Sequence, residues 1–76
     1  MLDKVKELIK KTLKRGEIVI TEDTNIIDDL ELNSLELAEL IYAFEDAFGI
    51  EIPDRAISKF RVVGDIIAYL EKNTAN

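Results

Sequence analysis

Asn33-Ser34-Leu35-Glu36-Leu37-Ala38-Glu39-Leu40-Ile41-Tyr42-Ala43-Phe44-Glu45-Asp46-Ala47-Phe48-Gly49 is the stretch on which the fold turns. At about 100° per residue, Leu37, Leu40, Ile41, Phe44 and Phe48 share one arc, the apolar stripe of an amphipathic helix. Gly49 supplies the usual stop. The spacing therefore predicts a helix over 34–48. Glu36, Glu39 and Asp46 fall on the outward side with Leu35 and Tyr42, so the outer face is acidic with two apolar side chains set in it.

Upstream, Leu2, Val5, Leu8, Ile9 and Leu13 repeat at i, i+3, i+4 and predict a first helix over about 2–15, with Gly16 as its end. Residues 16–32 lack that period. Ile18-Val19-Ile20 has the composition of a short strand but no second β-rich run to pair with. A long ordered loop pinned by Ile26, Ile27, Leu30 and Leu32 fits better, and loops of this length are usually functional or disordered. Downstream, Pro53 breaks the chain after Ile50-Glu51-Ile52, and Asp54 is placed to cap a short helix over about 55–60 carrying Ile57 and Phe60. A last helix, about 64–72, starts near Gly64-Asp65 and buries Ile66, Ile67 and Leu70 ahead of a polar tail, Lys72 to Asn76. Three main helices and one short one make an all-α small bundle.

The 76 residues contain no cysteine, histidine or tryptophan, and the formal charge is −6. One domain is the ceiling at this length. The absent residue types remove disulfides, thiolate nucleophiles, the commonest general base and the commonest metal ligand. Ser-His-Asp, Cys-His and zinc-hydrolase arrangements are out of reach, and a serine paired with a lysine base has no recognisable spacing here. Asp23-x-Asn25-x-Ile27-Asp28 misses the EF-hand pattern at its fifth and sixth positions, so no metal site is expected. The longest apolar stretch, Leu40 to Phe44, is far short of a membrane span, and a soluble, cytoplasmic monomer is expected. Net negative charge disfavours nucleic acid as a ligand.

The charge is segregated. Residues 1–15 carry +4, residues 16–54 carry −12 without a single Lys or Arg, and residues 55–76 carry +2. Such a field either solubilises the chain or steers basic partners to it.

Without His or Cys, the candidate reactive groups are hydroxyls and carboxylates. Ser34 follows the long loop and opens the strongest helix. Asn33-Ser34-Leu35-Glu36 reads first as a capping box, with Asn33 as N-cap and Glu36 three residues on. A helix start also offers unpaired N–H groups and a positive dipole end, which suit a phosphate ester on the hydroxyl.

The run Asp28-Asp29-Leu30-Glu31-Leu32-Asn33-Ser34-Leu35-Glu36-Leu37, then Glu39-Leu40 and Phe44-Glu45-Asp46-Ala47-Phe48-Gly49-Ile50-Glu51-Ile52-Pro53-Asp54, resembles the acyl carrier proteins. It resembles their D-S-L attachment motif followed by the E-L…E-x-x-F-G-I-x-I-P-D continuation. Val63-Gly64-Asp65 with Tyr69-Leu70 is similar to their last helix. The resemblance implies a four-helix bundle of the acyl-carrier type without catalysis of its own. Ser34 would receive 4′-phosphopantetheine from coenzyme A through a separate magnesium-dependent phosphopantetheinyl transferase, and the arm's thiol would hold an acyl group as a thioester. Leu35, Glu36, Glu39, Tyr42, Glu45 and Asp46 would meet basic and apolar patches on acyl-transferring or ketosynthase-type partners. Leu40, Phe44, Ile52, Ile57 and Phe60 would line the acyl chain or simply pack the core. The sequence departs from the family pattern at Asn33, usually Asp; at Glu31, often Gly; and at Arg55 and Ser58, typically acidic in fatty-acid-synthase carriers. The pathway implied is fatty acid, polyketide or a related specialised one, and these departures favour a specialised carrier over a housekeeping fatty-acid role. A carrier-shaped docking module without an arm is the alternative.

Overall fold

The computed structural model describes residues 1–74, and the last two residues of the expected tail lie outside them. Among the described residues four helices follow one another: α1 (Leu2–Leu13), α2 (Ser34–Phe48), α3 (Asp54–Ile57) and α4 (Val63–Asn73). There is no strand among the described residues; Asn25 and Val62 form one isolated antiparallel bridge.

Each long helix buries the stripe its period predicts. Val5 and Ile9 of α1, Leu40, Ile41 and Phe44 of α2, and Val63, Ile66, Ile67 and Leu70 of α4 meet in one core. Leu37 and Phe48 are half-buried at its edge, and Lys4 Nζ lies 5.0 Å from the Phe48 ring centroid. The loop contributes Ile20, Ile26, Leu30 and Leu32 to the same core. Ile27 does not help to pin it: that side chain is exposed, because Ile26 and Leu30 take the inward positions of the turn.

The boundaries differ from the sequence expectation where backbone geometry decides them. The helix α1 stops at Leu13, not near Gly16, because Lys14 adopts φ +56 and turns its N–H back to Lys10 O. Gly49 ends α2 as expected, at φ +64 with its N–H on Glu45 O. At α3 the N-cap is Pro53, not Asp54, which is the first helical residue and makes no side-chain cap bond; the helix ends at Ile57, short of residue 60. The helix α4 begins at Val63 and runs through Asn73, so Lys72 belongs to it and not to a tail. Its start is held by the Asp65 carboxylate, which accepts the N–H groups of Arg61 and Val62 at 2.9 and 3.1 Å. Those two bonds, the Arg61 one first, hold the Asp65 carboxyl below its ordinary value; partial burial opposes them and the Arg61 charge assists.

The loop between α1 and α2 is sewn to the start of α4. Ile26 N–H donates to Arg61 O at 2.9 Å, Val63 N–H to Thr24 O at 2.9 Å, and Gly64 N–H to Glu22 O at 2.8 Å. A Cβ at residue 64 would sit 3.1 Å from Glu22 O and press on that carbonyl, so the close approach favours glycine. Thr24, the one buried polar residue among those described, takes the Thr21 N–H on its hydroxyl at 2.8 Å. Asn25 Oδ1 accepts from Ile27 and Asp28, and Asp29 Oδ2 accepts from Asn25 N–H at 2.7 Å, which turns the chain toward α2.

Candidate functional site

The site is assembled at the start of α2. Asn33 is extended, φ −88 and ψ 177, and its Oδ1 accepts the Glu36 N–H at 2.8 Å. Glu36 Oε1 accepts the Asn33 N–H at 3.2 Å, closing the capping box. The Asn33 carbonyl takes the Leu37 N–H at 3.0 Å. Asn33 thus performs the capping that a serine at a helix start often performs, and Ser34 is left exposed with its hydroxyl outside the hydrogen-bond network of the described residues. The N–H groups of Ser34 and Leu35 likewise find no acceptor among those residues. A free hydroxyl beside two unpaired helix N–H groups is a fit for a phosphate ester, whose oxygens those donors can receive.

Two features that sequence reasoning did not connect converge here. Arg15, beyond the end of α1, donates from Nη1 to Leu30 O at 2.6 Å and brings Nη2 to 3.7 Å from Glu36 Oε2. Glu31 stands at φ +52, the left-handed region that a non-glycine residue seldom occupies. Its occurrence where the resembled pattern often has Gly was the available signal. Nothing in the spacing marks Arg15.

The six outer-face residues of α2 are not equivalent. Leu35 and Tyr42, each 68% exposed, stand two turns apart on one side with exposed Glu39 and Asp46 between and beyond them. Glu36 is half-buried and engaged by the cap and by Arg15. Glu45 is also half-buried: its carboxylate accepts the Ile52 N–H at 2.7 Å, and its carbonyl takes Gly49 and Ile50. It therefore fixes the turn after α2.

Among the residues expected to line an acyl chain, Leu40 and Phe44 are fully buried, Ile52 is 5% exposed, and Ile57 and Phe60 are half-buried. Phe60 meets Tyr69 edge-on, 5.7 Å between centroids, on the wall of an open groove of about 500 Å³ between α3 and α4. Pro53, Ala56 and Ala68 extend its apolar lining, and Arg55, Lys59 and Lys72 stand along it. Leu40, Phe44, Ile52 and Ile57 are not on that wall. No group of His, Cys, Asp and Glu among the described residues is arranged to hold a metal ion, and no helix is long and apolar enough to cross a membrane.

A protein-family model described as phosphopantetheine attachment site matches residues 3–70. The chain belongs to the acyl carrier protein family. An acyl carrier protein from Thermotoga maritima is 40% identical over 72 residues, spanning 95% of this chain and 89% of its own. A solved structure assigned as an acyl carrier protein from Mycobacterium tuberculosis superposes with a TM-score of 0.80 at 33% identity, covering 87% of this chain and 88% of that one. The all-α bundle is accordingly the acyl-carrier fold, and the group such a carrier holds is covalent 4′-phosphopantetheine. Acyl carrier proteins are carriers without catalysis of their own.

Proposed function

We propose that Ser34 bears the 4′-phosphopantetheine arm and that the chain presents acyl intermediates to biosynthetic enzymes in the cytoplasm. The supporting observation is the division of labour at the start of α2: Asn33 caps the helix, and Ser34 Oγ stays exposed beside unpaired N–H groups. A phosphopantetheinyl transferase would join Ser34 Oγ to the phosphorus of the pantetheine half of coenzyme A. The bond to the adenosine bisphosphate half breaks, and the serine proton leaves. The attached arm supplies a terminal thiol for thioester formation. The chain's own part is to hold Ser34 outward and to offer α2 for docking.

Leu35, Glu39, Tyr42 and Asp46 form the available docking face, with apolar anchors between carboxylates for acyl-transferring or ketosynthase-type enzymes carrying basic patches. Glu36 and Glu45 contribute mainly by shaping it. Basic Arg55 and neutral Ser58 interrupt the acidic surface at α3, which supports a specialised pathway over general fatty-acid synthesis. Intact-mass analysis after incubation with coenzyme A, Mg²⁺ and a broad-specificity transferase tests the attachment. The expected result is one phosphopantetheine added to the native chain and none to Ser34→Ala; addition to the alanine variant would overturn the assignment.

A further inference from the structure

The approach to Ser34 is strained and braced from outside. Glu31 at φ +52 sits between Leu30 and Leu32, both buried in the core, so the backbone cannot relax by swinging either neighbour outward. A glycine would take this conformation freely; glutamate, with its Cβ, does not. One guanidinium bridges the strained residue. Arg15 Nη1 holds the carbonyl immediately before it, Leu30 O, at 2.6 Å. Arg15 Nη2 lies 3.7 Å from Glu36 Oε2, and the other oxygen of that carboxylate holds the Asn33 N–H immediately before Ser34. Residues 31–33 are thereby clasped at both ends by a side chain anchored past α1.

We propose that Arg15 is a positioning residue for arm attachment, bracing the left-handed Glu31 turn so that Ser34 leaves the loop in the orientation a transferase requires. This rests on Ser34 as the attachment site. The planar fork of arginine is suited to the role because it reaches a carbonyl and a carboxylate in fixed directions at once, which a lysine ammonium on its flexible stem does not. The brace and the strain are coupled: with glycine at residue 31 the turn needs no bracing. Misplacement of the hydroxyl by about 1 Å can slow a transfer about 100-fold, so the loss appears in turnover.

The test is steady-state phosphopantetheine transfer from coenzyme A by a broad-specificity transferase, with the carrier as varied substrate. Arg15→Gln is expected to lower kcat roughly tenfold or more with little change in KM, equally at low and high salt. Arg15→Lys should not restore it, whereas Glu31→Gly should bring the Arg15→Gln chain back to within about twofold of wild type. NMR backbone shifts report the Glu31 dihedral and the integrity of the fold in each variant. An unchanged kcat in Arg15→Gln overturns the inference, as does failure of Glu31→Gly to rescue a folded Arg15→Gln chain. A loss confined to KM and abolished by salt would make Arg15 a docking charge instead, also overturning it. Should Arg15→Gln fail to fold, the folded Arg15→Lys chain decides: a wild-type kcat overturns the inference, and a lowered kcat regained with Glu31→Gly supports it. Arm addition to Ser34→Ala would instead defeat the underlying assignment, whatever the Arg15 variants do.

Discussion

Asn33, not Ser34, caps α2, and the cap can be probed by substitution. Asn33→Ala removes the acceptor for the Glu36 N–H and should lower stability by about 1 kcal/mol in a denaturant titration. Asn33→Asp keeps an acceptor in the same place and adds a charge favoured by the helix dipole, so stability should be equal or slightly higher. Asp65 has a pH signature. Its carboxyl is held below the ordinary value of 3.8 by the Arg61 and Val62 N–H groups. The stabilisation is therefore complete above the unfolded-state value and disappears as pH falls through the lower folded-state value. Asp65→Asn should be less stable than wild type near neutral pH, with the gap closing below about pH 4 in pH-dependent thermal unfolding. Single-residue facts of this kind were unevenly legible. The Asn33–Glu36 box follows from a three-residue spacing. Lys14 ending α1 does not, because only the backbone φ distinguishes it from Gly16 two residues on.

The helix α2 was readable almost entirely from its period, since a 3.6-residue repeat sorts buried Leu40, Ile41 and Phe44 from exposed Leu35, Glu39 and Tyr42 without any tertiary information. What the period misses is a side chain on the outer half that bends back: Glu45 looks like a docking acid but serves the Ile52 N–H. The distinction has a measurable consequence. Glu39→Lys, on a free carboxylate, should weaken binding of a basic partner enzyme more at low salt than at about 0.3 M, without lowering Tm. Binding isotherms at two ionic strengths check it, and an effect independent of salt would argue against charge steering. The loop was the least legible element. Its attachment runs through the main chain, from Ile26 to Arg61 and from Val63 to Thr24, and backbone donors leave no mark on residue type. Gly64, favoured by the nearness of Glu22 O, carried a trace of it.

Over the whole molecule the charge distribution bears on stability. Folding gathers the chain to a radius of gyration of 11.3 Å, so the twelve carboxylates of residues 16–54 are brought closer together than in the open chain, and neighbouring ones repel over the Debye length of about 10 Å at 0.1 M salt. Added NaCl should therefore raise Tm by a few degrees between about 0.02 and 0.3 M, as followed by circular dichroism. A fall would show that attraction between the basic first helix and the acidic segment outweighs repulsion within it. The seam between residues 22–26 and 61–64 also bears on how the molecule responds to damage. It ties the chain's late segment to the stretch that leads into Ser34. Nicking or trimming near the C-terminus would then be felt at the loop's amides as faster hydrogen exchange, and a protease cutting the loop would release the last helix as much as the first. The long ordered loop is therefore more than a connection between α1 and α2: it is also the seat on which the last helix starts.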